Sequence, residues 1–185
     1  MTKKTYFTYY WYLYLIIIAL IVGIWQAIFY LDSLPKKDRT ITLFICSNNV
    51  NSTQLSSYLT KCYENSSDYD YVAVDHTSID HMYTSSIFQT RGLISSDCML
   101  LPKGFISESN YPRYFKELDT ISLNLAYGPF IYEKHEDKNY GINIKSTAFC
   151  SKYVDINDDY YLYFLNRDYK DGIYKIIDYL VGNYE

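Results

Sequence analysis

Residues 11–31 read WYLYLIIIALIVGIWQAIFYL, a run without a single charged side chain. A helix rises about 1.5 Å per residue, so roughly 20 apolar residues cross the hydrocarbon layer of a bilayer. A segment this apolar has to be surrounded by lipid or by a protein interior. Tyr6, Phe7, Tyr9, Tyr10, Trp11, Tyr12 and Tyr14 crowd one end, and Trp25, Phe29 and Tyr30 mark the other. That is the two-sided aromatic belt of a spanning helix. Gln26 is the strongly polar side chain inside the run and sits near its far end. The expectation is a transmembrane helix within residues 1–31, with the lipid bilayer as a partner. A cleaved signal peptide shares the Lys3-Lys4 leader, but its apolar region is shorter, and Gln26-Ala27-Ile28-Phe29 offers no small-x-small cleavage pattern. A buried helix of a soluble protein is the third reading. Lys3, Lys4 and the terminal amine face Lys36, Lys37 and Arg39 across the span, nearly a tie by the positive-inside rule. A short leader ahead of a large folded domain places that domain outside the cell.

Residues 32–39 form a polar linker broken by Pro35, and residues 40–185 are enough for one domain with its own hydrophobic core. A net charge of -4, with no basic stripe carrying interleaved aromatics, argues against a nucleic-acid partner. Tyrosine is the compositional outlier, with 24 copies spread through every segment. Its company of Asn, Ile, Lys and Asp matches an AT-rich genome. Tyrosine also suits a carbohydrate-binding surface, because the ring stacks on a sugar face while the hydroxyl stays wet. Cys46, Cys62, Cys98 and Cys150 are scattered without Cys-x-x-Cys or Cys/His spacing, so buried free thiols are the first expectation, and one or two disulfides that spacing does not assign are the alternative for an extracellular domain. Asn51 and Asn65 open Asn-x-Ser/Thr sequons.

From residue 40 onward, strands and helices alternate. Residues 41–46 (ITLFIC) suit a buried strand, and residues 47–52 supply turn and helix-cap residues. Leu55, Tyr58, Leu59 and Cys62 then recur at three- and four-residue spacing, predicting a helix. Residues 69–74 read as a second strand. Residues 78–90 read as a second helix that packs through Ile79, Met82, Tyr83, Ile87 and Phe88, with Gly92 at its exit. Cys98-Met99-Leu100-Leu101 is a third strand, closed by Pro102. This alternation predicts a parallel sheet with right-handed crossovers. Further on, residues 111–119 suggest a short helix with Pro112 in its first turn. Residues 130–132 and 140–144 suggest short strands around a charged loop at 133–139, and residues 160–165 a strong strand. A terminal helix over 172–184 places Ile173, Ile176, Ile177, Leu180 and Val181 on one face.

Three stretches of this order resemble one lobe of the extracellular solute-binding proteins that serve ABC transporters, the sugar-type ones in particular. They are the strand, polar turn and helix of residues 41–64; Val72-Ala73-Val74-Asp75, a helix, then Ser96-Asp97-Cys98-Met99-Leu100-Leu101-Pro102; and Asp159 to Asn166 followed by the terminal helix. The third looks like that family's returning strand. The resemblance implies an α/β fold class: an N-terminal transmembrane helix followed by one parallel or mixed-sheet lobe like a periplasmic-binding-protein domain. The stretch between Leu101 and Tyr140 is too short for a second lobe, and a spanning helix stands where the family carries a lipid-anchoring cysteine. The implied role is a non-catalytic accessory protein that partners an ABC permease or a full-length binding protein, or binds a carbohydrate directly.

The residues offer little catalytic chemistry. No Gly-x-Ser-x-Gly, phosphate-binding glycine loop, dinucleotide fingerprint or His-Glu-x-x-His occurs, and no cofactor is expected. Asp75-His76 and Asp80-His81 have the ligand types of a zinc site, although a solvated turn explains them more simply. His135 lies in the charged loop, and Asp158-Asp159 fit a solubilising turn better than an acid–base pair. In open α/β sheets, ligands collect beyond the carboxyl ends of the strands. Those ends carry Ser47, Asn48 and Asn49, then Asp75 and His76, then Lys103, which together form the expected ligand- or partner-binding set. Two other classes compete. A membrane-bound envelope hydrolase or transferase would use Asp75, His76, Asp97 and Cys98. A structural subunit of a membrane complex would pack its helix through Gly23 and Gln26.

Overall fold

The structure, a computed structural model, describes residues 3–34, 36–64, 66–127, 129–144, 154, 159–169 and 171–181. The chain divides into two compact units, Met1–Lys36 and Lys37–Glu185. The first is helix α1, Lys3–Ser33, whose residues from Trp11 to Ser33 are exposed. It is long and apolar enough to cross a membrane, a test that a signal sequence also passes.

The second unit is an α/β domain. After a 3-10 turn at Lys37–Arg39 come β1 (Thr40–Cys46), α2 (Ser52–Thr60), β2 (Tyr71–Thr77), α3 (Thr84–Ile87) and β3 (Cys98–Pro102). Then follow α4 (Tyr111–Tyr114), α5 (Thr120–Tyr127), β4 (Tyr132–His135), β5 (Lys138–Asn143), β6 (Tyr160–Phe164) and α6 (Ile176–Val181). Among the described residues the strands form one mixed sheet in the order β2-β1-β3-β6-β5-β4. Strands β1, β2 and β3 are parallel, as expected, whereas β6 runs antiparallel to both β3 and β5, and β4 antiparallel to β5.

Strict alternation along the strands separates two apolar layers. Ile41, Leu43, Ile45, Cys98, Leu100 and Leu162 face Leu55 and Leu59 of α2, Leu123 of α5, and Ile176, Ile177 and Leu180 of α6. Phe44, Met99, Leu101, Tyr161 and Tyr163 face Phe88, Tyr111 and Phe115 on the other side. Each fully buried Leu or Ile contributes about 2 kcal/mol of transfer free energy. Helix α2 follows β1 on one face and α3 precedes β3 on the other, while the chain steps outward to β2 and then back across β1. The two crossovers therefore share one hand. Cys46 and Cys98 are buried in opposite layers, so these free thiols cannot bond each other, and burial pushes the Cys46 thiol up to about 12. Cys150 lies outside the described residues, as do Asn65 and Asp158.

Several elements differ from expectation. The second helix begins at Thr84 instead of residue 78. Residues 78–83 form a loop in which Met82 is 86% exposed and Tyr83 63%. Past Ile87 the helix widens into a π-helix, Phe88–Leu93. Gly92 lies inside that turn, where a Cβ would come within 2.8 Å of Met99 Cε. The 111–119 helix stops after one turn, because Phe115 is extended and bridges Leu165. Residues 133–135, expected in a charged loop, are strand β4. The loop shrinks to Glu136 and Asp137, both at positive φ (49° and 63°), as a two-residue hairpin needs. Helix α5 was not anticipated. Its start is capped by Asp119, whose Oδ1 accepts from the backbone N–H groups of Ile121 and Ser122. The last helix begins as a 3-10 turn, Asp171–Lys175, with Ile173, Ile176, Ile177 and Leu180 fully buried.

Candidate functional site

The expected set at the strand ends resolves into separate places. Ser47 is buried and its N–H donates to Thr77 O at 3.0 Å, continuing the β1–β2 ladder. Asn48 is a tie between loops. Its Oδ1 accepts from Ser78 Oγ at 2.6 Å and from Ile79 N at 3.0 Å, and its Nδ2 donates to Asp80 Oδ2 at 2.9 Å. Asn49 and Lys103 are exposed, and the Lys103 N–H donates to Asp159 O at 2.8 Å. Asp75 and His76 belong to β2, an edge strand, and point to opposite faces. Asp75 is in register with Phe44 and pairs with Arg91 of the π-helix at 3.6 Å; His76 is in register with Ile45. Between β1 and β3 the chain leaves for opposite faces, the usual place for a ligand crevice. Here Tyr160 of β6 reaches across, its hydroxyl donating to Cys46 O at 2.9 Å.

The hydrolase candidates do not converge. Asp97 Oδ2 accepts from Thr42 N at 2.8 Å at the start of β3, Cys98 lies in the α2 layer, and Asp75 faces the other layer. Burial holds the Asp97 carboxyl above its ordinary range. No group of three or more His, Cys, Asp or Glu side chains among the described residues is arranged to hold a metal ion.

A groove of about 470 Å³ lies on the α3 side of the domain. Its walls are the 78–83 loop with Ile79, His81 and Met82; the α3–π segment with Thr84, Ser85, Phe88 and Gln89; and the connection after β3. That connection turns at Gly104, whose φ of 76° is left-handed, with Phe105 N–H donating to Pro102 O at 3.1 Å. The geometry fits a turn in which only glycine is unstrained, and it delivers Phe105 to the wall. Phe88 and Phe105 meet edge to face, with centroids 5.3 Å apart. Thr84 Oγ1 holds the loop closed, its one hydroxyl hydrogen shared between Ser78 O at 2.8 Å and His81 O at 2.6 Å. Asn48 thus bears on the groove indirectly, by fixing the loop that forms its rim. Replacing Asn48 with alanine is expected to cost about 1–2 kcal/mol. It should also raise hydrogen exchange at the Ile79 amide well above that at the α2 amides, which mass spectrometry or NMR would read.

A second polar centre was not visible in the sequence. Glu133 is 7% exposed and accepts from Tyr111 Oη at 3.0 Å and from Tyr163 Oη at 2.6 Å. Burial, then the Glu133 charge, pushes the Tyr111 hydroxyl up to about 12 and the Tyr163 hydroxyl further, so both remain protonated donors. The row Asp75, Phe44, Met99, Tyr163, Gly141, Glu133 runs in register across all six strands. Tyr163 reaches Glu133 by lying over Gly141, where a Cβ would come within 2.7 Å of its ring. The His135 ring stands 6.3 Å from that of Tyr111. With both carboxylate oxygens accepting from phenols, the centre acts as a latch on the edge hairpin.

No protein family, curated protein or solved structure matches this chain.

Proposed function

We propose that the chain is a membrane-anchored, non-catalytic binding protein, with α1 as its single-pass anchor and the α/β domain outside the cell as an accessory lobe of an ABC importer. The observation that carries the reading is the order β2-β1-β3 with the returning strand β6 antiparallel beside β3, on a domain preceded by a helix long enough to span. The groove supports binding over catalysis: His81 and Tyr114 are the titratable side chains among its lining, and His81 Nδ1 already accepts from Tyr83 N at 3.2 Å. Docking on a permease or on a full binding protein is the form of the role that a single lobe suits. The test is co-purification of the tagged full-length chain from its own host in mild detergent, with mass spectrometry of what accompanies it. Permease subunits in stoichiometric amounts are the expected result. Purification alone from a well-extracted membrane contradicts the proposal.

A further inference from the structure

We propose that the groove between the 78–83 loop, the α3–π segment and the β3–α4 connection binds a small uncharged ring compound with an apolar face and a hydrogen-bonding edge. Its volume of about 470 Å³ suits a small ligand. Among the described residues, no Asp, Glu, Lys or Arg lines it, so a phosphate or carboxylate entering it would lose hydration without meeting a counter-charge. The rings of Phe88, Phe105 and Tyr114 supply apolar surface. Of the polar groups, Thr84 Oγ1 is engaged by backbone carbonyls and His81 Nδ1 by the Tyr83 amide. The Gln89 and Asn110 side-chain amides have no partner among the described residues. Each amide presents a donor and an acceptor side by side, which matches the edge of a nucleobase or a vicinal pair of sugar hydroxyls. The backbone is a second, independent sign. The π-helix begins at Phe88 and Gln89, and such turns are rare and concentrate at functional sites. Nucleosides and unphosphorylated monosaccharides share this chemistry. The inference concerns the groove alone and stands whether or not a permease accompanies the chain.

The experiment uses the full chain in a detergent without a sugar headgroup. Saturation-transfer NMR and calorimetry are run with adenosine, uridine, D-glucose and D-galactose, each beside its monophosphate. The expected result is binding of at least one neutral compound, with its phosphate ester at least about tenfold weaker; which compound binds identifies the source. Gln89→Ala and Asn110→Ala each weaken that binding about five- to tenfold, the loss of one hydrogen bond. Lys134→Ala, exposed on β4 and outside the groove lining, leaves it unchanged. Failure of all four neutral compounds to bind overturns the inference. So does equal binding of the phosphate ester, or loss of binding in Lys134→Ala with both amide variants unaffected.

Discussion

Replacing Gly141 with valine is expected to lower the unfolding free energy by about 3 kcal/mol, and with alanine by about 2 kcal/mol. The cause is a close approach between strands. A Cβ on residue 141 would stand 2.7 Å from Tyr163 Cε1 and 3.1 Å from Tyr161 Cβ, so the ring of Tyr163 would have to leave the strand it crosses. Tyr163 is also stacked on Phe115, with centroids 4.3 Å apart, which leaves it little room to move. Displacing it would break its bond to Glu133 as well, so the steric and polar losses add. Urea unfolding of the wild type and the two variants, followed by tryptophan-independent far-UV dichroism, would read the change. A difference below about 0.5 kcal/mol would show that Tyr163 does not lie across Gly141.

Glu133→Ala is expected to cost about 3 kcal/mol, because two buried phenol hydroxyls lose their acceptor together. Glu133→Gln keeps the shape and one acceptor, and should cost about 1 kcal/mol. The coupling is the sharper observable. In a double-mutant cycle, Tyr163→Phe should be far less damaging in the Glu133→Ala background than in the wild type. Additive losses would mean that the two side chains do not share a bond.

The first half of the domain was legible because its strands are continuous apolar runs. Residues 41–46 and 98–101 lie in the sheet interior with both faces covered, and an alternating pattern is not needed there. The Asn51 cap was equally visible: its side chain accepts from Gln54 N at 3.2 Å at the start of α2. Residues 78–83 misled because Ile79, Met82 and Tyr83 imitate helical spacing. What holds them in a loop is Asn48, some thirty residues earlier in the chain, and no local pattern announces it. Strand β4, expected over residues 130–132, lies at Tyr132–His135 for a related reason. Glu133 looks like a surface charge until Tyr111 and Tyr163 arrive from other elements, and Glu136-Asp137 lacks the glycine that marks most two-residue hairpins. Asp75, His76, Ser47, Asn48, Asn49 and Lys103 were gathered by a fold-level rule about strand ends. Of these, Asp75 and His76 lie within β2 and Ser47 continues its ladder, and the rule did not foresee that Tyr160 reaches across the crevice, nor that Gln89 and Asn110 line a groove.

The proposed role requires a single-pass anchor with the folded domain outside the cell. Its most direct test is alkaline carbonate extraction of host membranes, combined with protease added to intact cells. The full-length chain is expected to stay in the membrane pellet, and the external protease to remove the domain after residue 31. Recovery of the chain in the soluble fraction, or of a mature form beginning beyond Leu31, would contradict it.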